Sequence, residues 1–241
     1  MFIIALTQRA VLQILMQTII YSSVFLNFLI LLILQTACVS EKNPNNEIPA
    51  QLLGKFPQKS FAYPVGEKEF VSEKNDWWDA WYNAQDFGEN RHLGEDWNKT
   101  TGGNTDCGEP VYAAADGQIT FAKDAGAGWG NVVIVEHIAA DGTKIQSLYA
   151  HLETILKNSG EVKRREQIGT IGGASGRYPC HLHFELRWTA CPVWNQTGNG
   201  YADEKQGWID PSGGILILWC YIVLVWKMTF FETDLRYFAC I

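Results

Sequence analysis

Residues 180–188, CHLHFELRW, place the strongest local constraint on how this chain can fold. Hydrophobic and polar residues alternate through the segment, and successive side chains of a β-strand point to opposite faces. The apolar face carries Leu182, Phe184, Leu186 and Trp188. The polar face carries His181, His183, Glu185 and Arg187. The pattern predicts a strand with one face in a core and the other facing water or a cleft, with two histidines side by side on that second face.

Short strands and turns are also predicted along the rest of this region. From about Pro110, apolar segments alternate with turns, and NVVIVEHI followed by AADG and TKIQSLYAHL predicts a hairpin with Asp141-Gly142 in its turn. QIGTIGG and HLHFELRW predict two more strands. Because helical periodicity is absent, we predict an all-β domain of mainly antiparallel sheets that form an open cleft, with few or no long helices.

The N-terminal part of the chain has a very different composition. Residues 10–40 contain no charged side chain, and residues 19–34 are a nearly continuous apolar run followed by Gln-Thr-Ala-Cys. This pattern is typical of a secretory signal, and Thr36-Ala37-Cys38 resembles the end of a bacterial lipobox, in which the cysteine is lipidated. An uncleaved membrane anchor is the alternative, because the uncharged stretch is long enough to span a bilayer.

Both interpretations predict that the rest of the chain lies outside the cytoplasm, in the bacterial cell envelope, and is attached to a membrane through its N-terminal segment. The sequence divides into a signal or anchor at 1–38, a polar linker at 39–60, a folded domain at 61–212 and an apolar tail of undefined role at 213–241. The linker is rich in Pro and Asn and would hold the domain away from a membrane.

Net charge and cysteine spacing argue against two classes of site. The formal net charge of −7 argues against nucleic acid as a partner, because phosphate binding requires clustered Lys and Arg. The six cysteines follow no Cys-x-x-Cys spacing, which argues against a cysteine-ligated zinc site. Cys107, Cys180 and Cys191 lie in the domain, where an oxidising compartment permits one disulfide, and the sequence leaves its pairing open.

Four of the five histidines lie in patterns suited to metal chemistry. His92 and Asp96 have a His-x-x-x-Asp spacing, His151 ends the strand pattern LYAH, and His181 and His183 form a His-x-His pair. Residues i and i+2 of a strand are roughly 6.5–7 Å apart, so two imidazoles can converge on one site. Two histidines and an aspartate provide the three protein ligands of a catalytic zinc site, although redox iron uses a similar triad.

The order of these motifs resembles the lysostaphin/LytM-type zinc metallopeptidases, which are peptidoglycan endopeptidases. The resemblance runs through His-x-x-x-Asp, PVYAAADGQI, GWGNVVIVEH, YAHL, QIGTIG and HLHFEL. It implies that His92, Asp96 and His183 bind one Zn²⁺ ion and that His151 and His181 are the catalytic histidines. It also implies that the substrates are peptidoglycan peptides.

The resemblance leaves three functions open. No zinc ligand or catalytic histidine of the family pattern is lost, which favours a zinc metalloendopeptidase that hydrolyses peptide bonds in stem peptides or cross-bridges. The alternative is a non-catalytic module of the same type that regulates other wall hydrolases, since some family members have lost ligands and act in that way. A metalloprotease that acts on proteins is a third, weaker hypothesis.

The remaining polar residues of these motifs have simpler interpretations. His137, in VIVEHIAADG, is interpreted as a structural residue of a strand. Glu185 either orients a metal ligand or forms a salt bridge with Arg187. The loop 98–107 and the stretch 189–207 depart from the family pattern, and we expect them to border the cleft.

Overall fold

A computed structural model of the protein describes Leu52, Lys55, Phe56, residues 60–67, 80–126 and 128–213, and Ile215. All of the described residues belong to one compact unit. The predicted signal or membrane anchor, most of the linker and nearly all of the apolar tail lie outside the described residues. Among the residues that are described, no helix has the length and hydropathy needed to cross a membrane.

Ten β-strands, connected through antiparallel pairings, form the described fold. They are β1 (Trp81–Gln85), β2 (Glu95–Lys99), β3 (Pro110–Tyr112), β4 (Gly117–Asp124), β5 (Asn131–Ile138), β6 (Lys144–Ile155), β7 (Glu161–Val162), β8 (Gln167–Ile171), β9 (Leu182–Trp188) and β10 (Trp208–Ile209). Helix is confined to the 3-10 turn Glu89–Arg91 and a few residues near the ends of the described chain. The predicted all-β, mainly antiparallel class is confirmed.

Strand β9 lies inside the sheet rather than at its edge. The main order is β1-β2-β9-β6-β5-β4-β7, with β10 also paired to β9, and with β8 paired to both β6 and β3. The predicted hairpin is formed by β5 and β6, and Gly142 in its turn has a φ of 85°, a region that glycine enters without steric penalty. The strands predicted at QIGTIGG and HLHFELRW are β8 and β9.

Strand β5 is buried on both of its faces. Val133 and Val135 belong to the main hydrophobic cluster, whereas Val132 and Ile134 belong to a second cluster. Successive residues of a strand point to opposite sides, so the sheet is covered on both sides here. A continuous apolar run such as VVIV is the pattern expected of a strand in that position.

The segment 60–67 packs against the main cluster, and the side chain of Arg165 holds it there. Phe61, Tyr63 and Val65 are buried in that cluster. The Arg165 guanidinium donates hydrogen bonds to the carbonyl oxygens of Tyr63 at 2.7 Å and Val65 at 3.2 Å. It also lies 4.0 Å from the centroid of the Tyr112 ring. These contacts make the segment an integral part of the domain.

The polar face of β9 is buried, which corrects one expectation from the sequence. Glu185 and Arg187 are both 0% exposed, although their face was predicted to meet water or a cleft. The covering groups come from residues that follow β9 in the chain. Trp208 donates its indole N–H to Glu185, and the Arg187 guanidinium donates to the carbonyl oxygens of Val193 and Gln196. A local alternation of residue types could not reveal this cover.

His137 lies in the core with both ring nitrogens hydrogen bonded. Its Nδ1 is 2.8 Å from the carbonyl oxygen of Asp116, and its Nε2 is 2.7 Å from Ser147 Oγ. The Ser147 hydroxyl oxygen also lies 2.8 Å from the Tyr149 hydroxyl. Because the Asp116 carbonyl oxygen can only accept, Nδ1 carries the proton and Nε2 accepts from Ser147. This histidine therefore has a structural role in the fold.

The burial of His137 predicts that the domain loses stability in acid. Burial lowers the pKa of His137 to about 4, and the charges of Asp116 and Glu136 only partly oppose that shift. The unfolded chain binds a proton near pH 6.5 and the folded chain does not, so stability falls as the pH drops from about 6.5 to about 4. We expect this group to remove about 3 kcal/mol from the free energy of unfolding over that range.

The measurement is urea unfolding at several pH values for wild-type protein and for His137→Asn, whose amide can still donate to Asp116. We expect the variant to be less stable at pH 7.5 but to lose less stability on acidification. Equal pH slopes for the two proteins would show that His137 does not titrate in this way.

Candidate functional site

The antiparallel pairing of β2 with β9 brings together residues that are far apart in the chain. Asp96 lies directly opposite His183 in this pairing. A Cβ at Gly94 would come within 2.5 Å of the Phe184 carbonyl oxygen, so only glycine allows the chain before β2 to approach β9 so closely. His92, just before this glycine, is extended and fully buried. The sequence RHLGEDW thus places a histidine and an aspartate beside the His-x-His strand.

Three potential ligand atoms meet at this point: His92 Nε2, Asp96 Oδ1 and His183 Nδ1. The two ring nitrogens are 2.9 Å apart, and Asp96 Oδ1 lies 3.0 Å from His183 Nδ1 and 3.4 Å from His92 Nε2. Two ligands that each lie about 2.0–2.1 Å from a tetrahedral zinc ion are roughly 3.3 Å apart. The types of atom and their spacing therefore fit a zinc ion.

A buried carboxylate fixes the orientation of His183. Glu185 Oε1 is 2.9 Å from His183 Nε2, which leaves Nδ1 as the nitrogen that faces Asp96 and His92. The other oxygen of Glu185 accepts hydrogen bonds from Arg187 Nε at 2.6 Å and Trp208 Nε1 at 2.7 Å. Glu185 therefore contacts His183 and pairs with Arg187 at the same time.

The charge balance of this cluster favours a cation. Burial raises the pKa of Asp96, but the contacts with His183 and His92 outweigh burial and hold its pKa well below the usual range. Burial lowers the pKa of His183, yet hydrogen bonds to Asp96 and Glu185 reverse that effect and raise the pKa to about 9. Two carboxylates thus stabilise positive charge at this point, which is the electrostatic requirement for holding a metal ion.

The other two predicted site residues, His151 and His181, border the same cluster. Their ring centroids are 4.7 Å apart, and His181 Nε2 lies 3.8 Å from Asp96 Oδ1. His151 Nδ1 is 3.1 Å from the carbonyl oxygen of Trp129, and His181 Nδ1 is 2.9 Å from the carbonyl oxygen of Pro179. A carbonyl can only accept, so both histidines carry their proton on Nδ1 and leave Nε2 free to accept another.

His151 has an unusual backbone as well as an unusual environment. Its φ is 62°, in the left-handed region that a non-glycine residue rarely adopts. Burial, followed by the neighbouring His183 and His181, lowers the pKa of His151 to about 3, which keeps its ring neutral at physiological pH. Strained residues of this kind occur often at functional sites, where the surrounding structure holds them in place.

These side chains open onto a cleft of about 400 Å³, in agreement with the predicted open cleft. Three aromatic residues that the sequence did not single out line it: Trp129, Tyr178 and Tyr201. The Tyr201 ring lies 5.0 Å from that of His92, and Trp129 donates its indole N–H to the carbonyl oxygen of Gly198 at 3.1 Å. Tyr201 and Gly198 belong to the stretch 189–207, which therefore borders the cleft as expected.

Comparison with known proteins gives a family match over the region that holds this site. A family model described as Peptidase family M23 matches residues 91–195. An 86-residue segment is 42% identical to the DD-carboxypeptidase/endopeptidase Mpg of Neisseria meningitidis serogroup B, and covers 36% of this chain and 19% of that protein. The match thus spans about a fifth of the length of the Neisseria relative.

A second relative is matched over most of its length. An 82-residue segment is 35% identical to the lipoprotein NlpD of Yersinia enterocolitica, and covers 34% of this chain and 79% of that protein. The solved structure of the antimicrobial peptidase lysostaphin from Staphylococcus simulans aligns with a TM-score of 0.45 at 21% identity, over 66% of this chain and 54% of that one. The family model matches this chain, and the chain is 35% identical to NlpD over 79% of the length of that protein. This chain therefore belongs to peptidase family M23.

Proposed function

We propose that this protein is a zinc metalloendopeptidase that hydrolyses peptide bonds in peptidoglycan. The convergence of His92 Nε2, Asp96 Oδ1 and His183 Nδ1, with distances of 2.9–3.4 Å between them, is the observation that carries the proposal. Membership of peptidase family M23 supports the reaction class. The name of the Neisseria relative, a DD-carboxypeptidase/endopeptidase, supports cell-wall peptides as the substrate class.

In this proposal His92, Asp96 and His183 hold one zinc ion. Zinc, when bound, supplies a Lewis acid that lowers the pKa of water to about 7 and polarises a peptide carbonyl. Glu185 keeps Nδ1 of His183 directed at the site by accepting the proton of Nε2 in a hydrogen bond. The full burial of His92 and Glu185 keeps bulk water away from this side of the cluster.

His151 and His181 supply proton transfer. Hydrolysis requires that the attacking water lose a proton and that the leaving amine gain one. Nε2 of either ring can accept the first proton, because the Nδ1–H groups are already engaged by the carbonyl oxygens of Trp129 and Pro179. The protonated ring can then stabilise the developing oxyanion or return the proton to the amine. We assign this role to His151 and His181 together, because both line the cleft and their ring centroids are 4.7 Å apart.

The proposal extends to the location of the protein. The uncharged N-terminal segment, as a lipoprotein signal or as an anchor, would place the domain in the bacterial cell envelope, where peptidoglycan lies. The lipoprotein named among the relatives supports this placement. Leu52 and Phe56 pack into the main cluster, so the part of the predicted linker 39–60 that precedes Leu52 would let the domain reach the wall from a membrane-attached end.

The roles of the histidines are separable by mutation. We expect full-length wild-type protein to bind one zinc ion per chain and to release peptides from cross-linked peptidoglycan. His183→Ala is expected to lose both properties, since it removes a ligand. His151→Ala is expected to retain zinc and to lose about 100-fold or more in kcat, the usual contribution of a proton-transfer group.

Zinc content is measured by mass spectrometry of the metal, and turnover by chromatography of muropeptides with defined D-Ala cross-links or glycine bridges. Glu153→Gln is the control, because that exposed residue lies outside the cluster. Zinc binding without turnover in the wild type would favour the regulatory module over the peptidase. Full zinc content in His183→Ala would refute the ligand assignment.

Replacement of Glu185, which is hydrogen bonded to His183 Nε2, tests the ligand set without removing a ligand. Glu185→Gln keeps the shape of the side chain but removes the charge that holds the imidazole. We expect zinc affinity to fall about 10- to 100-fold, as is typical for loss of a hydrogen-bonded partner of a metal ligand. Competition with a chromophoric chelator measures the change, and Glu153→Gln on the exposed part of β6 is the control. An unchanged affinity would mean that Glu185 contributes nothing to metal binding and serves only Arg187 and Trp208.

A further inference from the structure

We propose that residues 98–107, the end of β2 and the loop that follows it, form a clamp that positions His181, and that the enzyme reaches full turnover only when the Cys107–Cys180 disulfide is formed. Cys191, the remaining cysteine of the domain, is buried and free. The proposal rests on the proposed peptidase function, in which His181 transfers a proton. It assigns a function to the Cys107–Cys180 disulfide, the one disulfide among the described residues.

The clamp holds Cys180 through three groups of that residue: its amide N–H, its carbonyl oxygen and its sulfur. The amide N–H of Cys180 donates to Asn104 Oδ1 at 3.0 Å, and its carbonyl oxygen accepts from Asn98 Nδ2 at 3.2 Å. Its sulfur is bonded to Cys107, with the two Cα atoms 5.2 Å apart. Residue 180 therefore has little freedom to move relative to this loop.

A buried carboxylate fixes the orientation of the amide in this clamp. Asn98 Nδ2 donates to Asp106 Oδ2 at 3.1 Å as well as to the Cys180 carbonyl. Asp106 is only 1% exposed, whereas Thr101, Asn104 and Thr105 are exposed. These residues therefore add little to the hydrophobic core, and Asn98 links the buried Asp106 carboxylate to the Cys180 carbonyl.

His181 depends on its backbone for the direction of its ring. Its Nδ1 bonds to the carbonyl oxygen of Pro179, two residues earlier, and its amide N–H donates to the Gly172 carbonyl at 3.2 Å. The ring is therefore aimed by the conformation of residues 179–181, at whose centre the clamp holds Cys180. A displacement of about 1 Å in a catalytic group can lower turnover by about 100-fold.

Reduction opens the clamp without touching a metal ligand. A water-soluble trialkylphosphine attacks one sulfur and breaks the S–S bond, and water then supplies oxygen to phosphorus and protons to the two thiolates. The phosphine is oxidised to its phosphine oxide, and the disulfide is reduced by two electrons to two thiols. His92, Asp96 and His183 are unchanged by this reaction. We therefore expect reduced protein to keep zinc but to lose turnover.

Asn98 and Asn104 allow a sharp test, because replacement by Asp is expected to lower kcat at one position and to leave it nearly unchanged at the other. Asn104→Asp keeps an oxygen that can accept from the Cys180 N–H, so we expect kcat close to that of the wild type. Asn98→Asp removes the N–H donor and sets a second carboxylate beside Asp106, so we expect kcat to fall about 10- to 100-fold with KM and zinc content nearly unchanged. Equal effects of the two substitutions would overturn the clamp.

Reduction is tested on full-length protein by zinc content, steady-state kinetics and amide hydrogen exchange of residues 178–183. We expect phosphine treatment, and the double variant Cys107→Ala/Cys180→Ala, to speed exchange at these residues and to lower kcat with zinc retained. Cys191→Ala keeps the disulfide and should stay as sensitive to phosphine as the wild type. Unchanged exchange and turnover in the reduced enzyme would refute the clamp while leaving the peptidase proposal intact. An inactive oxidised wild type would instead refute the peptidase proposal and the catalytic part of the clamp with it.

Discussion

The contact between Asp96 and His183 across β2 and β9 is the interaction on which the rest of the site depends. It sets one carboxylate against one imidazole at 3.0 Å, although 87 residues separate them in the chain. The sheet supplies the register that makes them neighbours, and Gly94 supplies the space that brings His92 to the same point. Because β9 is held between β2 and β6, this geometry is supported on both sides by strand pairing.

The buried side chains of Glu185 and Arg187, next to His183, show how the fold tolerates charge in its interior. An unpaired ion in a protein interior is very unfavourable, and even a buried pair gives little net stability unless its hydrogen bonds are satisfied. Glu185 meets that condition, because His183, Arg187 and Trp208 all contact its carboxylate. Such a network is better understood as fixing the orientation of an imidazole than as adding stability to the domain.

Main-chain carbonyl groups control the two histidines proposed for proton transfer. Trp129 and Pro179 each accept a hydrogen bond from Nδ1, so the fold itself selects the tautomer that presents Nε2 to the cleft. The positive φ of His151 is part of the same arrangement, because its backbone N–H and its Nδ1–H both donate to the Trp129 carbonyl. A side-chain acceptor could change protonation or rotamer, whereas a carbonyl in a fixed loop does neither.

The sequence by itself determined the strand character of the domain and the amphipathic pattern of β9, because residue alternation and turn residues such as Asp141-Gly142 act locally. It also determined the types of ligand, although only a resemblance to a family chose His183 rather than His181 from the His-x-His pair. Tertiary structure alone decided that Glu185 and Arg187 are buried, that Cys107 pairs with Cys180, and that Tyr201 lies on His92. These features depend on where the segments 98–107 and 189–207 fold back over the sheet, and contacts between distant parts of a chain leave no periodic signal in its sequence.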